Sequence, residues 1–151
     1  MVETRHGIKI VKDVITYSPH PQIPAPGFAV WGRQIGGVNW SIAIEAITEP
    51  VLMVPETYVH GFDDYLGFMG SNPLDIREFE AEVWMFLGEE RERLIIDSPI
   101  FLHIPSGKLH CPLYFKRIDK PIFFIHSFAS PAYIRQVIPT ELSELVTGEE
   151  A

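Results

Sequence analysis

"IPSGKLHCP", residues 104–112, sets a histidine just behind a Pro-x-Gly turn and places a second proline two residues after it. An apolar run, Ile100, Phe101, Leu102 and Ile104, broken by His103, leads into the turn, and Leu113, Tyr114 and Phe115 lead out. The turn therefore joins two strands. Pro105 is read as fixing φ at the second position of a tight turn, which Gly107 closes at no steric cost. This reading predicts His110 on the first residues of the following strand, as a rigidly presented imidazole. Neighbouring side chains on a strand point to opposite faces, so Cys111, the only cysteine, is expected to lie off any His110 site as a small buried thiol.

Working outward, the chain is built of short apolar segments separated by turn residues. Glycine (11) and proline (13) together exceed the usual share of roughly 12%. The predicted strands are 8–17, 27–32, 39–48, 51–54, 65–70, 79–88, 93–97, 100–105, 111–116 and 121–128, the pattern of an all-β sandwich or barrel. "LGEERERL" reads as a hairpin with Gly88 at its turn and a charged, solvated tip. Helix is confined to the end. "SPAYIRQVI" (130–138) and "TELSELVTG" (140–148) each suit one or two turns, the second with Thr140 as N-cap and Gly148 as C-cap. The proline-rich stretch 18–27 is expected to run extended along the surface.

Length and composition bound the class. With 151 residues, 46% of them hydrophobic and 21% charged, the chain suits one globular domain with a real core. The expected organisation is a single domain: N-terminal strands and the proline-rich connection over 1–39, a barrel over 40–128, and a short helical tail over 129–151. A net charge of −8 opposes nucleic-acid binding, which runs on phosphate neutralisation. No apolar segment approaches the ~20 residues of a membrane helix, and "MVETRHGIKI" lacks the apolar stretch of a secretory signal. A cytoplasmic protein without nucleic-acid or membrane partners is expected.

A second stretch, "YVHGFDDYLGFMG" (58–70), separates His60 and Asp64 by three residues across a glycine-containing corner between strands. Such a corner can bring an imidazole and a carboxylate to one point. The two stretches together resemble the motifs of the cupin superfamily, small double-stranded β-helix (jelly-roll) proteins. The first cupin motif has the form G-x5-H-x-H-x3,4-E-x6-G and the second G-x5-P-x-G-x2-H-x3-N; the resemblance covers roughly residues 40 to 128. By that resemblance His60 and His110 fall on metal-ligating histidines and Asp64 on the glutamate. The chain departs from the pattern in several places: Tyr58 stands at the first histidine, Gly70 comes one residue early, Pro99 replaces the opening glycine and Tyr114 the asparagine.

Two imidazoles and a carboxylate with open positions suit Fe(II), and also Mn, Ni or Zn. A second carboxylate source is "EFEAEVWMFLG". Phe79, Ala81, Val83, Met85 and Leu87 share one strand face; Glu80, Glu82, Trp84 and Phe86 share the other. If the second face lines the barrel, Glu82 supplies a ligand in place of the missing histidine. Tyr58, on the strand face of His60, together with Trp84 and Tyr114, are the candidate substrate contacts. His103 cannot be assigned a face, His126 reads as a satisfied core or surface histidine, and His6 and His20 as peripheral. The resemblance implies a metal-dependent enzyme acting on a small oxygen-rich or carboxylate-bearing molecule by oxygenation, isomerisation or lyase chemistry. The alternative is a non-catalytic small-ligand binder or sensor. Cupins commonly pair through N-terminal strands, which implies a homodimer.

Overall fold

The computed structural model describes residues 1–134 and the backbone of 136–138. Among these residues fourteen strands follow one another: β1 Val2–Glu3, β2 Lys9–Ile10, β3 Ile15–Tyr17, β4 Pro26–Val30, β5 Ser41–Ile47, β6 Val51–Val54 and β7 Thr57–Val59. Then come β8 Asp64–Gly70, β9 Ala81–Leu87, β10 Glu92–Ile96, β11 Ile100–Ile104, β12 His110–Ile118, β13 Ile122–Phe128 and β14 Gln136–Ile138. A single 3-10 turn, Gly32–Ile35, sits between β4 and β5. Beside a small β1–β2 ribbon, two antiparallel sheets form a jelly roll. One has the order β10-β9-β12-β7-β14, with β6 also on β12; the other has the order β11-β8-β13-β5-β4-β3.

The sheets close because each strand carries one apolar face of period two. On β5 the buried set is Ser41, Ala43, Glu45 and Ile47, and on β9 it includes Ala81, Val83 and Met85. Phe68 of β8, Phe115 of β12 and Phe124 of β13 meet between the sheets, with ring centroids 5.2 to 6.3 Å apart. Each such ring contributes about 1.5–3 kcal/mol by leaving water.

Four readings of the sequence need correction. Stretch 8–17 is not one strand, because residues 9–10 pair with β1 while 15–17 pair with β4. The proline-rich connection does not stay on the surface: a turn from the Ile23 amide to the His20 carbonyl (3.0 Å) lets Ile23 enter the core, only 5% exposed. Stretch 130–138 is not helical. Pro131 lies in a bend, and the β-branched pair Val137 and Ile138 adds a strand to the open edge of β7. The second expected helix, at 140–148, lies outside the described residues. Finally, the Lys108 amide bonds the Pro105 carbonyl (3.2 Å), so Pro105 is the first residue of its turn. Gly107 holds the third position at φ 82°. Only glycine takes that φ freely, so the glycine sets the turn's frame.

Candidate metal centre

His110 opens β12 directly behind the Pro105–Gly107 turn, and His60 follows the last residue of β7, its neighbour in the sheet. The backbone stitches the two corners together. The Gly107 amide donates to the His60 carbonyl (2.9 Å), and the Ser106 amide donates to Asp63 Oδ1 (2.9 Å). His103 closes the same link from outside, with Nε2 3.0 Å from Asp63 Oδ2 and its ring stacked on Tyr65. The Ser106 amide first, then His103, hold the Asp63 carboxyl below its ordinary pKa. The sequence "FDD" thus divides its labour: Asp63 pins the turn and Asp64, at the start of β8, points inward.

Asp64 is 1% exposed, His60 4% and His110 3%. Asp64 Oδ2 lies 3.2 Å from His60 Nε2 and 3.5 Å from His110 Nε2. One ligand atom from each of the three residues falls within 4.8 Å of the other two, a spacing that can hold one metal ion. Both imidazoles are fixed from behind. His60 Nδ1 donates to the Ile134 carbonyl (2.8 Å) and His110 Nδ1 to the Lys108 carbonyl (3.0 Å). A proton on Nδ1 leaves the neutral ring with its lone pair on Nε2, the atom that faces Asp64. His60 Nε2 is buried and, although Asp64 Oδ2 lies 3.2 Å away, makes no aligned hydrogen bond among the described residues. A buried polar atom without a partner is costly, and a cation beside Asp64 satisfies it. The donor set therefore fits a divalent metal.

His126 is the member that the sequence reading left out. Its Nε2 lies 2.7 Å from Asp64 Oδ1, so it holds the carboxylate by the oxygen turned away from His60 and His110. The signal was present: His126 stands in phase with Ile122, Phe124 and Phe128, the buried face of β13. Burial alone pushes the Asp64 pKa up, but the imidazoles of His110, His126 and His60 outweigh it and hold the carboxyl well below the usual range.

Tyr58 is 2% exposed and lines the cavity beside His60, its hydroxyl donating to Glu56 Oε2 (3.2 Å). Glu82, Trp84 and Tyr114 lie elsewhere. The fully apolar face of β9 takes the core, which turns Glu82 and Trp84 outward. There Trp84 Nε1 donates to Glu82 Oε2 (3.0 Å), Tyr114 packs edge-on against Trp84, and Arg93 and Lys116 sit over the Trp84 ring at 4.5 and 4.0 Å. The structure thus places Glu82, Trp84 and Tyr114 away from the cavity that His60, Asp64 and His110 line. Cys111 does line it, against expectation. Its φ of 71° and the register shift between His110 and Leu113 break the alternation that would have turned it away.

Aromatic rings pack against the centre. Phe62 stacks on His60 at 4.7 Å, and Tyr133 packs against His60 at 5.2 Å and His126 at 5.4 Å. His20, from the proline-rich connection, also lines the cavity. Neither Tyr133 nor His20 has a local pattern in the sequence that announces a site.

No protein-family profile matches the chain. No curated protein matches it in sequence either. Solved structures do match in shape. The polyketide cyclase RemF from Streptomyces resistomycificus is 11% identical with a TM-score of 0.54, over 93% of each chain. An oxalate oxidase in complex with the substrate analogue glycolate is 11% identical with a TM-score of 0.53, over 90% of this chain and 70% of its own. A variant of oxalate decarboxylase from Bacillus subtilis is 11% identical with a TM-score of 0.51 over 81% of this chain, which spans only 29% of the decarboxylase. These neighbours are cupins, and the chain has the cupin fold.

Proposed function

We propose that the protein is a metal-dependent cupin enzyme that acts on a small oxygen-rich or carboxylate-bearing molecule. The observation that carries this reading is the pair of Nε2 atoms, each fixed by a backbone carbonyl at the other ring nitrogen, that meet a buried carboxylate. His60, His110 and Asp64 would hold the ion, with Fe, Mn, Ni or Zn the candidates. When bound, the metal supplies Lewis acidity and open positions for water, oxygen or a chelating substrate. The chain's own residues do the rest: Asp64 keeps its charge, His126 orients it, and Phe62 and Tyr133 shield the centre from bulk water. Cupin neighbours include an oxalate oxidase with glycolate bound, which makes small hydroxy and dicarboxylic acids the first substrates to test.

A second reading, a non-catalytic ligand binder or sensor, is favoured by Tyr58 at the place of the first motif histidine and by a cavity of only ≈20 Å³. Anaerobic reconstitution with Fe, Mn, Ni and Zn, followed by a panel including oxalate and glycolate, separates the two. Metal-dependent product formation is the expected result; saturable binding by the metal-loaded protein without turnover supports the binder. A homodimer in the cytoplasm is the expected state, and a dimeric mass by light scattering checks the assembly.

A further inference from the structure

A second buried carboxyl lies on the inner face of β5, away from the metal centre. Glu45 is 7% exposed, and its Oε2 has no hydrogen-bond partner among the described residues. It lines a separate cavity of ≈20 Å³ that shares no residue with the metal cavity. Continuing the β4–β5 register sets Gly27 opposite Glu45, and Thr16 stands opposite Gly27 on β3. A Cβ at Gly27 would come within 2.6 Å of the Ile44 carbonyl oxygen, so that position stays bare and leaves a notch beside Glu45. The aromatic walls are Tyr17, Phe28 and Trp31. Among the described residues, no Lys, Arg or His lines the notch.

We propose that this notch is a binding site for a primary ammonium group on a slim, unbranched stem. Three features select that chemistry. First, the free oxygen of a carboxylate only accepts, so its partner must donate. Second, no described residue on the lining neutralises the carboxylate, and aromatic faces favour a cation. Third, the volume holds one water-sized head group, while Tyr17 (72% exposed) and Phe28 (38%) flank a way out for a stem. The Ser18 hydroxyl bonds Glu45 and also accepts the His20 amide at 3.0 Å, which holds the carboxyl in place. A free amine and a protein lysine share this chemistry. The inference does not rest on the metal reading.

The test is a titration of the full-length, 15N-labelled chain with n-propylammonium chloride, Nα-acetyl-lysine methylamide and tetramethylammonium chloride, each against equal ionic strength of NaCl. Saturable shifts at the Gly27 and Glu45 amides with the first two probes, and a Tm rise of about 3–5 °C at tenfold over Kd, are expected. Tighter binding of the lysine derivative assigns the site to a protein lysine; equal or weaker binding assigns it to a free amine. In Glu45→Gln, whose fold is checked by circular dichroism, affinity should fall at least tenfold. Should that variant not fold, the location of the wild-type shifts decides. Shifts that follow ionic strength alone, equal binding of tetramethylammonium, or full affinity in Glu45→Gln overturn the proposal and leave a buried water in the notch.

Discussion

The barrel holds two buried carboxyls whose surroundings push their pKa in opposite directions. Asp64 meets three imidazoles that hold its pKa down despite its burial; Glu45 has the Ser18 hydroxyl on one oxygen, no partner among the described residues on the other, and burial pushes its pKa up. Both sit on inner strand faces of the same sheet, on β8 and β5. Depth therefore does not set their chemistry; the donors around them do. One carboxyl stands where it could share a cation with nitrogen ligands. The other keeps an oxygen with no partner among the described residues, the place proposed for an ammonium donor.

The largest effect is expected at the first of them. Asp64→Asn leaves His60, His110 and His126 without their anion and should cost about 3 kcal/mol in urea unfolding, together with most metal binding. If Asp64→Asn keeps both, the contrast between the two carboxyls collapses. His126→Ala should keep the fold and weaken metal binding by about 10- to 100-fold in a competition titration, as loss of a partner that orients a ligand does. An unchanged affinity would show that Asp64 needs no orientation.

A smaller effect, of opposite sign, is expected from Glu45→Gln, which should stabilise the ligand-free protein by about 1 kcal/mol near neutral pH. The sign follows from linkage. The folded state holds the Glu45 proton more tightly than the unfolded chain, so wild-type stability falls as pH rises from 4.5 through the raised folded pKa. Glutamine does not titrate, so the gap should be near zero at pH 4 and open by pH 8 in paired urea melts. A gap that is constant with pH would mean that Glu45 is not strained by burial. Least of all is expected from Glu82→Ala, which lies on the outer face and should leave metal retention unchanged within error while costing about 0.5 kcal/mol of stability.

The fold was legible because it is written locally. The P-x-G-x-x-H turn, the alternating strands from 27 to 128 and the hairpin at Gly88 are short-range patterns, and apart from the one-residue frame of the Pro105 turn they stand where the sequence places them. His60, Asp64 and His110 were legible for the same reason, each at a strand end beside turn residues. What was missed depends on pairing between distant segments. His126 meets Asp64 only because β13 lies beside β8, and Tyr133 and Ile134 reach His60 only because the chain returns to the edge of β7. Glu82 was misplaced by leaving two faces of β9 open when five apolar residues in phase already select the core side. Cys111 escaped because a single positive φ undoes strand alternation without any glycine to announce it.

The central claim is that His60, Asp64 and His110 hold one metal ion, and metal content after anaerobic reconstitution tests it most directly. Wild type should carry close to one Fe, Mn, Ni or Zn per chain by elemental analysis, and His60→Ala and His110→Ala should each lose most of it while circular dichroism shows the barrel intact. Full occupancy in both variants, or none of the four metals in wild type, would contradict the account.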